Sequence, residues 1–202
     1  MASRPVLTPL SISAPVASWT LARFSGRIVE ISGSGAAAPL TAAFGLVLQA
    51  QREGEPAAWV TPRGSSFFPP DAAEGGVDLA ALAVVRVADA RAAGRAADHL
   101  VRSGGFGLVV IDVASAAGGP RLAAPLLTRL LGLAQKHETA VLVLTEKPAD
   151  AASSSSLVSL RAEACRKRDD RVLAVEVRVL KDKRRGPGDV HLEVCRGPAG
   201  LR

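Results

Sequence analysis

Residues 26–44 read "GRIVEISGSGAAAPLTAAF": a short apolar run, a glycine-rich turn, and a stretch of helix-forming residues that continues to Arg52. An apolar strand that passes through a tight turn into a helix is the opening of a βαβ unit, and repetition of such units builds a parallel sheet with right-handed crossovers. The reading predicts a strand over Ile28–Ile31 and a helix over Thr41–Arg52.

Outward from this stretch the same order repeats. Ala57–Thr61, Leu82–Val87, Gly107–Asp112 and Ala140–Thr145 are apolar runs of strand length, most of them continuous, as strands buried on both faces are. Between them Ala90–Arg102 and Leu122–His137 carry helical periodicity; in the second, Leu126, Leu130, Leu133, Ala134 and His137 share one face. His137 is read as a helix-end residue at the negative end of the dipole. After Thr145 the pattern changes. "EKPADAASSSSL" (146–157) is expected to be a flexible connector, and "LVSLRAEA" (157–164), "RVLAVEVRVLKDK" (171–183) and "DVHLEVCR" (189–196) read as strands. "RRGPG" (184–188) suits a hairpin turn, so the sheet is expected to end in antiparallel strands. Residues 1–25, with three prolines, are expected to be an extended segment, and residues 26–202 a single domain.

Composition limits the function classes. The longest apolar runs fall far short of the roughly 20 residues that span a bilayer, so no membrane partner is expected. Prolines break up the N-terminal region and no apolar signal core follows, which predicts a cytoplasmic protein, with association to the nucleoid left open. Cys165 and Cys195 show no C-x-x-C spacing and are read as reduced, partly buried thiols. With His99, His137 and His191 scattered, no metal site is expected. The net charge is +6, and of the 25 Lys/Arg and 19 Asp/Glu, 12 and 7 fall in residues 161–202, leaving 13 and 12 before them. The basic bias is therefore a property of the C-terminal third. Aromatic residues make up 3% of the chain and Tyr is missing, which argues against a stacking platform for bases.

Several segments together resemble the RecA-like recombinase core: "GRIVEI" before the glycine turn, "QAQREG" closing the first helix, "GVDLAAL" before the third strand, "LVRSGGFGLVVIDVAS", and "VRVLKDK". The resemblance runs from about Gly26 to Val194 and implies an α/β fold with a mainly parallel central sheet flanked by helices and a C-terminal antiparallel extension. Truncated relatives of this outline with a degenerate nucleotide site look like ImuA, the RecA-like accessory protein of bacterial translesion mutagenesis.

A phosphate-binding loop needs G-x-x-x-x-G-K-[ST]: glycines that let amides approach phosphate, a lysine for its charge, and a hydroxyl for magnesium. Counted from Gly33, the second glycine is Ala38, the lysine is Pro39 and the hydroxyl residue is Leu40. Pro39 has neither cation nor amide hydrogen, yet proline is well tolerated in a helix's first turn. The RecA resemblance places a water-positioning glutamate after the second strand, where "WVTPRG" offers Arg63 and no acid from Thr61 to Ser66. Asp112 matches the family's magnesium-supporting aspartate, and its plainer role is to bond loop amides at a strand end. No cofactor is expected, and the resemblance implies a protein that does not hydrolyse ATP and works in the DNA-damage (SOS) response through RecA and an ImuB-type, polymerase-like partner.

Two other readings stay open. A cell-division inhibitor similar to SulA shares the outline and would bind a tubulin-like GTPase. Gly33, Gly35 and Ala38 also satisfy G-x-G-x-x-[GA], and with Arg63 to accept a 2′-phosphate they would suit an NADP-binding enzyme, although no catalytic grouping accompanies them.

In RecA-like filaments two loops line the axis and hold single-stranded DNA. Here they shorten to "ASAAGGPRLAAP" (114–125) and "EKPADAASSSSL", with Arg121 and Lys147 as their only cations. Arg166, Lys167 and Arg168, and Arg184 and Arg185, are better candidates for weak, non-specific DNA contact. Lys181 and Lys183 match the family's lysines that reach across to ATP on the next subunit, which implies a partner-binding face; solvated lysines on a strand are the simpler alternative. Phe67 and Phe68 are read as core anchors or a protein-binding patch, the core being the simpler choice.

Overall fold

The computed structural model describes residues 19–34, 37–114, 122–169 and 172–195, and it is built on one eight-stranded sheet. In chain order, the short helix α1 (Leu21–Phe24) precedes β1 (Ile28–Gly33), α2 (Ala37–Arg52), β2 (Ala57–Pro62), α3 (Pro69–Glu74) and β3 (Leu82–Val87). Then come α4 (Ala90–Ser103), β4 (Leu108–Asp112), α5 (Ala124–His137), β5 (Ala140–Glu146), β6 (Leu160–Asp169), β7 (Val172–Asp182) and β8 (Val190–Cys195). The strands lie in the order β3-β2-β4-β5-β1-β6-β7-β8. All pairs from β3 through β6 are parallel, while β6·β7 and β7·β8 are antiparallel. The expected α/β fold, with its mainly parallel sheet and antiparallel extension, is what the structure has.

Burial explains the strand pattern. Every residue of β1, β2 and β4 is buried, because helices cover both faces of the parallel half. One face packs Val29, Ile31, Trp59, Val110 and Leu142 against Ala42, Leu46 and Val47 of α2, and Val175, Val177 and Val179 of β7 extend the same core. The other face packs Ile28, Val109, Ile111, Val141 and Val143 against α4 and α5. Phe44, Trp59 and Phe67 form an aromatic trio with ring centroids 5.0 to 5.8 Å apart.

Four expectations are adjusted. Helix α2 starts at Ala37, not Thr41, so Ala38, Pro39 and Leu40 form its first turn. Residues 21–24 are helical and not extended, since Trp19, Leu21 and Phe24 are buried in the core; residues 1–18 lie outside the described residues. Strand β6 starts at Leu160 and runs to Asp169, later than the expected strand. The adjacent phenylalanines divide: Phe67 is buried and Phe68 is 55% exposed. Among the described residues, no helix is long and apolar enough to cross a membrane, and no group of His, Cys, Asp and Glu could hold a metal ion.

Candidate functional site

The carboxyl end of β1 is where an open α/β sheet presents its ligand crevice. Gly33 ends the strand opposite Glu146 of β5. A Cβ at Gly33 would stand 2.7 Å from the Ala164 carbonyl oxygen and 3.0 Å from Cγ of Pro39, so β6 and the proline ring close over the turn. Ala38 and Leu40, 7% and 8% exposed, belong to the core that α2 shares with β1, β2 and β6. The positions matching the lysine and hydroxyl of a phosphate loop are thus occupied by packed apolar side chains. Gly35, part of the alternative dinucleotide pattern, lies outside the described residues.

Asp112, at the end of β4, is buried and accepts hydrogen bonds from Thr61 Oγ1 at 3.1 Å and from the Ala114 amide at 3.3 Å. Burial pushes its carboxyl above the usual range, an effect only partly offset by those two donors. Arg63 is exposed on the turn after β2, where its backbone amide bonds the Val87 carbonyl at 2.9 Å. These two side chains do not converge with each other through any hydrogen bond or ion pair among the described residues.

A polar row that periodicity does not reveal crosses the sheet beside this crevice. Glu30 of β1 pairs in register with Arg161 of β6, and Arg161 with Lys181 of β7. Strand alternation puts Glu30 and Arg161 on the face opposite α2, and a bulge in the β6·β7 ladder between Arg161 and Ala162 brings Lys181 to the same face. Glu30 has no solvent exposure. It forms an ion pair with Lys147 at 2.5 Å and accepts hydrogen bonds from Thr145 Oγ1, the Ser154 amide and Ser154 Oγ. Burial alone would raise its pKa, but the bonds from Lys147 and Ser154 outweigh that and hold it below the ordinary glutamate value. Arg161 donates to Ser32 Oγ at 3.3 Å and to the Pro148 carbonyl at 2.7 Å. Residues 147–156 therefore form a polar layer over the sheet, bonded to it through Lys147 and the serines. The expected flexible connector is corrected accordingly: a buried carboxylate in the middle of β1 demands these partners. Lys147, committed to Glu30, is not a solvent-facing phosphate contact.

Lys181 of β7 and Lys183 just after the strand face the same layer. Lys181 is half-buried, with its ammonium 3.4 Å from Ser153 Oγ, and burial followed by repulsion from Lys183 lowers its pKa. Lys183 is exposed and donates to the Ser156 carbonyl at 2.5 Å.

The two basic groups lie near opposite ends of the β6–β7 hairpin. Arg166 and Lys167 are exposed, with Lys167 3.6 Å from Glu176, and the side chain of Arg168 lies outside the described residues. Arg184 and Arg185 are exposed on the turn after β7. Cys165 is half-buried, its thiol pushed up by burial and then by Glu163; the Cys195 side chain and Arg121 lie outside the described residues.

Compared with known proteins, residues 11–124 match the family described as the RecA N-terminal domain. No curated protein matches the chain.

Proposed function

The chain belongs to the RecA N-terminal domain family, and from that membership we propose that it is a RecA-related accessory protein that neither binds nor hydrolyses ATP. It works by protein contacts in the DNA-damage response and translesion mutagenesis, with RecA and an ImuB-type, polymerase-like protein as partners. The family supports the link to DNA recombination and repair. The observation that carries the rest is the burial of Ala38, Pro39 and Leu40 in the core where a phosphate loop would hold its cation and hydroxyl. Phosphate-binding groups act as a unit, and Asp112, already bonded to Thr61 and Ala114, does not replace them. Calorimetry with ATP and magnesium is expected to show no binding in the micromolar range. Micromolar affinity would end the pseudo-ATPase reading.

Docking on RecA is expected to use Lys181 and Lys183. What supports this is their place at the end of β7; both ammonium groups bond the 147–156 layer, Lys181 through a long 3.4 Å contact. Exchange of such neutral acceptors for a partner's terminal phosphate gains charge-assisted hydrogen bonds. A chain with these lysines and no bound ATP of its own would cap or remodel one end of a filament. Pull-downs are expected to recover more RecA with an ATP analogue than with ADP, and Lys181→Ala with Lys183→Ala is expected to abolish that preference. Equal recovery by the double variant and the parent would remove the docking model and leave the nucleotide reading standing.

A further inference from the structure

The sheet ends on β8, and among the described residues no strand pairs its outer edge. The Val179 amide donates to the Asp189 carbonyl at 2.8 Å. By alternation, His191 and Glu193 turn their backbone groups toward β7, while Val190, Leu192 and Val194 turn theirs outward. The side chains divide between the two faces of the sheet. Val177, in the core that α2 covers, lies opposite His191, whereas Glu176 and Arg178 lie opposite Leu192 and Val190. His191 and Glu193 therefore stand on the α2 face, where the His191 ring stacks on Trp19 with centroids 5.8 Å apart and Nε2 lies 3.3 Å from Glu193 Oε2. Val190 and Leu192 stand on the other face, where α4 and α5 pack only against the parallel strands β1 to β5, and they are 53% and 52% exposed.

An open edge strand is ordinarily blunted by a lysine, a proline or a bulge. Strand β8 contains neither lysine nor proline, and its ladder with β7 runs without the shift that interrupts β6·β7.

We propose that β8 pairs with β8 of a second copy of this chain, antiparallel about a two-fold axis at Leu192, so that the two sheets become one. Self-complementarity commits the edge to its own copy. In this register Leu192 faces Leu192 and Val190 faces Val194. These are the residues whose backbone groups point outward, so each pair exchanges both of its N–H···O bonds. On the α2 face His191 falls opposite the second copy's Glu193, and imidazole meets carboxylate on both sides of the axis. Other registers lose this fit. Centring on His191 or Glu193 sets like side chains against each other and calls on backbone groups already bonded to β7. Centring on Val190 or Val194 runs the pairing past the ends of the strand. The contact is isologous and closes at two copies, unlike the head-to-tail contact of a filament. It uses none of the residues at the Gly33 crevice and stands whether or not the nucleotide reading does.

Sedimentation velocity of the full chain is expected to show a concentration-dependent shift from monomer to dimer in the micromolar range, the strength of a short, transient interface. Leu192→Lys sets two ammonium groups together on the axis and is expected to weaken the dimer by about tenfold or more. Because Leu192 is exposed, the variant's thermal midpoint stays near the parent's. Thiol cross-linking checks the register in chains carrying Cys165→Ser and Cys195→Ser. Leu192→Cys brings its two copies to a Cα separation of about 5.5 Å, within disulfide reach. Val190→Cys leaves its own copy about 13 Å away along the strand. Cross-linking at 192 and not at 190 is expected. A parent that stays monomeric throughout the micromolar range, a dimer that survives Leu192→Lys, or equal cross-linking at 192 and 190 would each overturn the pairing.

Discussion

Replacement of Asp182 by Ala is expected to destabilise the protein by about 3–5 kcal/mol, the usual cost of removing one partner from a buried ion pair. The Asp182 side chain is fully buried and bonds two arginines whose side chains are 4% and 2% exposed. Without it Arg27 loses its only anionic partner among the described residues, and Arg23 loses one of its two carboxylate contacts, that to Asp182, while that to Asp189 remains. The same carboxylate joins elements that are far apart in the chain: Arg27, just before β1, is 155 residues from Asp182 at the end of β7. Its loss therefore loosens the attachment of the antiparallel extension to the parallel half. Urea unfolding of parent and variant measures the difference, and a loss below about 1 kcal/mol would show that the triad is not a stability element.

Acid provides an independent check on the triad. Burial would raise the Asp182 pKa, but Arg23, the Arg184 amide and Arg27 outweigh it and lower the pKa from 3.8 to about 2. A carboxyl whose folded pKa lies below its unfolded value contributes stability above the unfolded pKa, and that contribution disappears as pH falls toward the folded one. Asp182 is therefore expected to supply about 2–3 kcal/mol at neutral pH, lost between about pH 4 and pH 2. The Asp182→Asn variant should lose less stability than the parent across that window. Identical acid profiles would place the source of acid sensitivity elsewhere.

What the sequence shows of this fold depends on the range of the interaction. Strand β3 has the bounds Leu82–Val87 expected from its apolar run, and β1, β2, β4 and β5 differ from their expected bounds by one or two residues. Burial on both faces writes β1, β2, β4 and β5 into contiguous apolar residues, whereas β3, at the sheet edge with only Leu82 buried, is legible from its β-branched run. Helix α2 extends back through Pro39, which the first turn accepts because no amide hydrogen is needed from it there. Glu30 stands in "IVEIS" like a solvated charge on an edge strand. Its partner Ser154 is 124 residues away, and no local period carries that information. The arginine–aspartate triad was likewise illegible, since Arg23 and Arg27 meet Asp182 across 159 and 155 residues of chain.

Restoration of the phosphate loop by Ala38→Gly, Pro39→Lys and Leu40→Thr together is expected to destabilise the protein by about 3–5 kcal/mol without recovering ATP binding. Leu40 gives up most of a buried apolar side chain, at about 1.5–3 kcal/mol. Ala38 to glycine costs up to about 1 kcal/mol inside a helix. A lysine at 39 would have to carry its ammonium out of the space where the proline ring now packs against Gly33 and close to β6. Those losses are a large share of the roughly 5–15 kcal/mol by which a domain is stable. Binding is not recovered because the three residues would lack their surroundings: Asp112 is held by Thr61 and Ala114, and the position after β2 offers Arg63 in place of an acid. Urea unfolding and calorimetry with magnesium and ATP measure the two halves of the expectation. A triple variant as stable as the parent that binds ATP at micromolar concentration would mean that the crevice is intact and only its side chains were exchanged. A destabilised variant without affinity would mean that the core of this chain has grown into the space a nucleotide needs, so that further single substitutions at 33, 38, 39 or 40 do not lead back to an ATPase.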